Sequence, residues 1–190
     1  MERGFKTRCE NMARGLRREL RRARTDPLPP RDLAEYLDVP ILTLDDIPNL
    51  DPDDIDQLLV NDPDSWSAIT VSAAGREAII MNSTHRGGRP ATDIMHEIAH
   101  LLLGHEPSTM FYVGEEDIAL RGYNADVEEE ANWLAGVLLL PREALVHVRS
   151  IGLSDAATCR EYGVSQQLLK MRTDRTGVSR QFRRRGRSAQ

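Results

Sequence analysis

The stretch DIMHEIAHLLLGH, residues 93–105, sets two histidines four positions apart with a glutamate directly after the first. On an α-helix each residue advances about 100°, so His96 and His100 project from nearly the same face. Their imidazoles can converge on one ion, which is what a two-histidine zinc site requires. Glu97 lies one step round, beside those ligands and not among them. There its carboxylate can take a proton from a water activated by the metal. The competing account is an ordinary helix with buried, hydrogen-bonded histidines, and zinc in any case needs a third protein ligand.

His105 is one candidate for that ligand. If the helix continued it would face about 180° away from His96, and only a break at Gly104 could redirect it. The better candidate lies in EEEANWLAGVLLLP, residues 128–141. Glu128 and Asn132 are four apart, so a carboxylate and an amide share one helix face. A carboxylate closing a site opened by two histidines gives a His₂Glu set with a fourth position for water. Asn132 could then orient a ligand histidine from behind. Three adjacent glutamates cover about 200° of a helix, so one can point inward while its neighbours stay wet. Spacing alone leaves open which of Glu128, Glu129 and Glu130 does so.

The surrounding pattern supplies elements to hold these groups. Phe5, Cys9, Met12, Leu16 and Leu20 recur at helical spacing, predicting an amphipathic helix over 5–24 that TDPLPP ends. Pro30 suits the first turn of a short helix in PRDLAEYLD. The acidic, proline-rich segment DIPNLDPDDIDQLLVNDPDS reads as loop or short helical turns. The runs at 67–72 and 77–82 are β-branched or aliphatic and flank AAG, predicting a β-hairpin. Thr92 is placed to cap a helix from Asp93 to about Leu103, with Gly104 at its end. Residues 106–123 read as irregular. ADVEEEANWLAGVLLL is a second helical run stopped by Pro141, and PREALVHVRS begins a third. The fold class is therefore α+β.

Among 190 residues, 40% are hydrophobic and 29% charged, as in an ordinary globular chain large enough for a core. The polar, basic opening is not a secretory leader, and no apolar run approaches membrane-spanning length. Two cysteines without a CxxC pair make no disulfide framework, which points to a reducing, cytoplasmic setting. The net charge of −5 conceals a segregation. Residues 1–24 carry nine basic and three acidic side chains, residues 170–190 eight and one, and the body between is strongly acidic. Such basic ends fit weak DNA contact, or tails drawn to the chain's own acidic body.

DAATCREYGVSQQLLKMRTDRTG, residues 155–177, has the outline of a helix-turn-helix, with Gly163 ending one helix and Ser165 capping the next. The expected organisation is a metallopeptidase domain over 1–150, a helical subdomain over 151–176, and a basic, disordered tail over 177–190. The second helix offers few side chains suited to base edges, so packing or docking on a protein explains it better than DNA reading.

IIMNSTHRGGRPATDIMHEIAHLLLGH followed by EEEANWLAGVLLLP resembles the ImmA/IrrE metallopeptidases, and so does the opening RGFKTRCENMARGLRRELRRARTDPLPPRDLAEYLDVPI. The resemblance covers about residues 4–145. It implies a zincin-like core with a small β-hairpin or sheet, an HExxH helix and an ExxxN helix. It also implies Zn²⁺ on His96, His100 and Glu128, with Glu97 as the catalytic base and Asn132 supporting a ligand. The implied activity is endopeptidase cleavage of a helix-turn-helix transcriptional repressor, derepressing stress, phage or mobile-element genes. Thr92-Asp93 and Leu134 depart from residues common in the family, at positions that touch packing more than chemistry. A scaffold that binds a repressor without cutting it, and a DNA-binding regulator, are the readings from other classes. Tyr123, Arg89 and His147 are candidate partners for a developing oxyanion.

Overall fold

Alternating aliphatic residues build a small sheet, and the computed structural model describes it within residues 1–73, 76–105 and 124–187. Its strands are β1 (Ile41–Leu42), β2 (Ala68–Ala73) and β3 (Arg76–Met81), in the spatial order β1-β3-β2. The expected hairpin forms, with β2 antiparallel to β3 and Thr70 opposite Ile79. The parallel partner β1 is too short for a period-two pattern to reveal. The chain is held there by Pro40, whose carbonyl accepts from the Ile79 N–H at 2.9 Å.

Helix α1 (Phe5–Glu19) buries Phe5, Cys9, Ala13 and Arg17, a stripe repeating every four residues. It stops before the expected residue 24, because Arg21 turns into the left-handed region and the Arg22 N–H returns to the Arg17 carbonyl. Helix α2 (Pro30–Tyr36) starts on its proline as expected. The acidic segment holds only short turns: a 3-10 turn at Leu44–Asp46, then α3 (Pro52–Asp56), which continues as a π-helical turn over Gln57–Asn61.

Helix α4 (Arg89–Leu103) begins four residues earlier than the sequence suggests. Gly88 and not Thr92 occupies the capping position. Pro90 fits the first turn, where no N–H is needed, and the Thr92 hydroxyl donates back to the Gly88 carbonyl at 3.0 Å. At the other end Gly104 takes the left-handed conformation that terminates the helix. Helix α5 (Ala125–Leu139) starts at Asn124, whose side chain accepts from the Asp126 and Val127 N–H groups. Four helices follow: α6 (Arg142–Ser150), α7 (Asp155–Tyr162), α8 (Gln166–Thr176) and α9 (Val178–Arg187). Gly163 ends α7 in the left-handed region and Ser165 caps α8, as read from the sequence.

The basic segment after residue 176, expected as a disordered tail, is helical through Arg187. Its anchors are apolar: Val178 is fully buried and Phe182 packs on the core. Tyr162, Val164, Leu168 and Leu169 belong to the same core as α1, α4 and α5, so the carboxy-terminal helices extend it. Helix α5 runs through the middle, with every residue from Trp133 to Leu139 buried, and it packs against α1, α4 and α8. The carbonyls at its carboxy-terminal end meet two wholly buried arginines. Arg17 donates to the Leu138 carbonyl at 2.8 Å, and Arg172 donates to that of Leu140 at 3.0 Å while pairing with Glu10. No helix among the described residues is long and apolar enough to cross a membrane.

Candidate metal centre

Two helices bring the histidines and the carboxylate together. Helix α4 presents His96 and His100 one turn apart, with ring centroids separated by 4.6 Å. Helix α5 crosses beside it and aims Glu128 between them. The His96 Nε2 and His100 Nε2 atoms lie 3.0 Å apart. Glu128 Oε2 is 3.2 Å from the first, and Oε1 is 3.6 Å from the second. Tetrahedral zinc with bonds of about 2.0–2.1 Å sets its ligand atoms roughly 3.3 Å apart, so this triangle has the right size for one such ion. Among the described residues, His96, His100 and Glu128 form the one group of this kind with the geometry to hold a metal.

Both imidazoles are held from behind. Asn132, one turn beyond Glu128, places its amide oxygen 3.1 Å from His96 Nδ1. That contact requires a proton on Nδ1 and leaves the Nε2 lone pair facing the site. His100 Nδ1 meets His105 Nδ1 at 3.1 Å. His105 thus does not point away from His96 as a continued helix would require. The left-handed turn at Gly104 folds it back, with the His105 N–H on the His100 carbonyl at 2.9 Å. It stands behind the ligand triangle and not within it.

Glu97 sits beside the triangle, turned toward the sheet. The Thr70 hydroxyl, buried on β2, donates to Glu97 Oε2 at 2.8 Å. Burial raises the Glu97 pKa above the ordinary carboxylate range, opposed by the hydrogen bonds from Thr70 and by the neighbouring His96. A carboxylate so placed is basic enough to accept a proton and is fixed in direction while doing so. Thr70 carried no signal in the sequence, because a threonine in a β-branched run is what any strand would contain.

The other candidates lie elsewhere. Arg89, at the start of α4, is held by Asp64 at 3.0 Å and approaches Asp93 at 3.8 Å. It is seven residues before His96, about 10 Å along the helix axis. His147 is exposed on α6, which packs on α8 and α9. Tyr123 lies outside the described residues. Asp93, where the sequence departs from the family's usual residue, accepts from or pairs with the buried His85 at 3.0 Å. Leu134, at the other departure, is fully buried.

A peptidase family model described as the IrrE N-terminal-like domain matches residues 34–174, well over half of the chain, and spans both site helices. No curated protein matches the chain.

Proposed function

The chain belongs to the ImmA/IrrE family of metallopeptidases, and from that premise we propose that it is a zinc-dependent endopeptidase whose substrate is a helix-turn-helix transcriptional repressor. The observation that carries the reading is the compact triangle of His96, His100 and Glu128 with Glu97 beside it. Two imidazoles and one carboxylate suit zinc, and three protein ligands leave a position open for chemistry. Bound there, zinc would supply an acidified water and a polarised peptide carbonyl.

The chain's own groups do the rest. Asn132 and His105 hold the two imidazoles with Nε2 turned inward. The Thr70 hydroxyl holds the Glu97 carboxylate in place by donating to its Oε2. Glu97 takes the proton of the attacking water and returns it to the departing amine. In the proposed setting this single cut inactivates a repressor and releases the stress, phage or mobile-element genes it controls.

Glu97→Gln tests the reading. The substitution keeps size and most hydrogen bonding but removes the proton acceptor, so zinc content should match the wild type. Cleavage of a candidate repressor, followed as fragments on a gel, should fall by roughly 10²–10⁴-fold. Undiminished cleavage by zinc-loaded Glu97→Gln would remove Glu97 from the chemistry. Equal relief of repression by both proteins with no fragments would establish a binding scaffold instead of a peptidase.

A further inference from the structure

We propose that His105 and Glu130 together select the metal-binding tautomer of His100, an inference that rests on the ligand set proposed above. The two Nδ1 atoms of His100 and His105 are 3.1 Å apart and, unlike the two Nε2 atoms of the ligand triangle, have no ion to come between them, so this contact needs one proton. If His105 supplies it, the His100 proton moves to Nε2 and the lone pair that faces Glu128 is lost. If His100 supplies it, His100 Nε2 keeps its lone pair toward the ligand triangle and the remaining His105 proton sits on Nε2. Glu130 distinguishes the two arrangements. Its Oε2 lies 3.9 Å from His105 Nε2, beyond a direct hydrogen bond but well within electrostatic reach, and both side chains are largely buried. A carboxylate there favours the arrangement that points an N–H toward it. The order is then Glu130, His105, His100 and the site, each group fixing the next.

The backbone makes this alignment rigid. Gly104 in the left-handed conformation and the His105 N–H on the His100 carbonyl lock His105 one turn below its partner. The rings meet edge to face, with centroids 5.1 Å apart. Glu130 reaches the pair from α5, two residues beyond Glu128, so the same two helices carry both the ligands and this outer pair. His96 is served differently, by the neutral amide of Asn132. His105 is therefore a positioning residue, and Glu130, the third of the adjacent glutamates, has a function of its own.

The test is zinc affinity of the full chain, measured by competition with a chelator, for the wild type and for His105→Leu, His105→Gln, Glu130→Gln and His100→Ala. Removing an outer partner of a ligating histidine typically weakens metal binding about 10–100-fold, the loss expected for His105→Leu. Glutamine can still accept from His100 Nδ1–H, so His105→Gln should bind within a few-fold of wild type, roughly the scatter of such conservative replacements. Glu130→Gln should fall between. In the zinc-loaded protein, the His100 Nδ1–H resonance should persist in His105→Gln and vanish in His105→Leu. Unchanged affinity in His105→Leu overturns the proposal. So does a loss in His105→Leu as complete as in His100→Ala, which would make His105 a ligand, or a His105→Gln protein as weak as His105→Leu, which would mean packing alone. Full zinc binding by His100→Ala would instead overturn the ligand set on which the proposal stands.

Discussion

Glu97 and Thr70 show how much of a site one hydroxyl can set. The carboxylate is out of water, which raises its pKa, and the threonine hydroxyl opposes that rise while fixing the group's direction. Thr70→Val keeps the shape of the strand residue and deletes the donor. A hydrogen bond to a charged group contributes about 1.5–3 kcal/mol, so the rate of fragment formation should drop roughly 10- to 100-fold. Zinc content should stay at the wild-type value, and Thr70→Ser should restore most of the rate. An unaltered rate in Thr70→Val would mean that the helix alone aims Glu97. At this scale the sequence is legible where partners are near in the chain. His96, Glu97 and His100 declare themselves by spacing, whereas spacing leaves Glu128 open against Glu129 and Glu130 and the family resemblance is what points to it. Thr70 does not declare itself, because its partner is 27 positions away on another element. His105 is outside the ligand triangle, as the spacing suggests, and the break at Gly104 redirects it to a place behind His100 that spacing alone does not give.

The start of α4 shows what fixes an element rather than a residue. Gly88 is ordinary in backbone angle, yet a Cβ built on it would meet the Ser165 nitrogen and the Val164 carbonyl carbon, each at 2.9 Å. Those are backbone atoms of the turn between α7 and α8, which cannot swing aside as a side chain can. Gly88→Ala should therefore destabilise the fold by about 1–3 kcal/mol, the usual cost of overpacking, seen as a lower urea midpoint. A neutral result would show that this turn is free to move. The same contact explains why the start of the helix was read four residues late. A capping threonine is a local signal, whereas the close approach of a distant turn leaves no mark in nearby sequence. The hairpin, Gly104 and Ser165 were readable because turn chemistry is local. The two-residue β1 and the π-helical turn over Gln57–Asn61 were not, being held by contacts and not by pattern.

Across the whole molecule, the segregated charge has a partly internal destination. Arg17 and Arg172 leave the basic ends to cap the carbonyls of α5, and Glu10 neutralises the second. Sequence reading treated these arginines as surface charge, since charged residues are rarely buried unless paired and the pairing is long-range. Removing one member of a buried pair strands the other, so Arg172→Ala should cost about 3–5 kcal/mol in urea unfolding. A change within error would make the pair ornamental. The two thiols offer an independent check on the core. Burial pushes the Cys9 thiol up to about 11, and Cys159 also shifts upward from a less buried position. At pH 8 an alkylating reagent should label Cys159 first, with Cys9 reacting only as the protein unfolds. Above pH 9 the unfolded chain releases the Cys9 proton before the folded protein does. Stability should therefore fall as pH rises toward 11, and Cys9→Ala should flatten part of that slope. Tyr162, its phenol pushed up to about 12 by burial, adds to the decline further on.

The arginine caps on α5 also impose an order in time. The helix carrying Glu128 is completed at its far end by Arg17, 121 positions before Leu138, and by Arg172, which reaches back 162 positions to Glu10. On a ribosome adding about 5–20 residues per second, the first helix waits on the order of ten seconds or more for its last partner to emerge. The carboxy-terminal end of the helix that carries Glu128 is then capped only once Arg172 has left the exit tunnel. Chains stalled before Arg172 should therefore be digested by added protease at sites around α1 and α5 that chains carrying Arg172 shield.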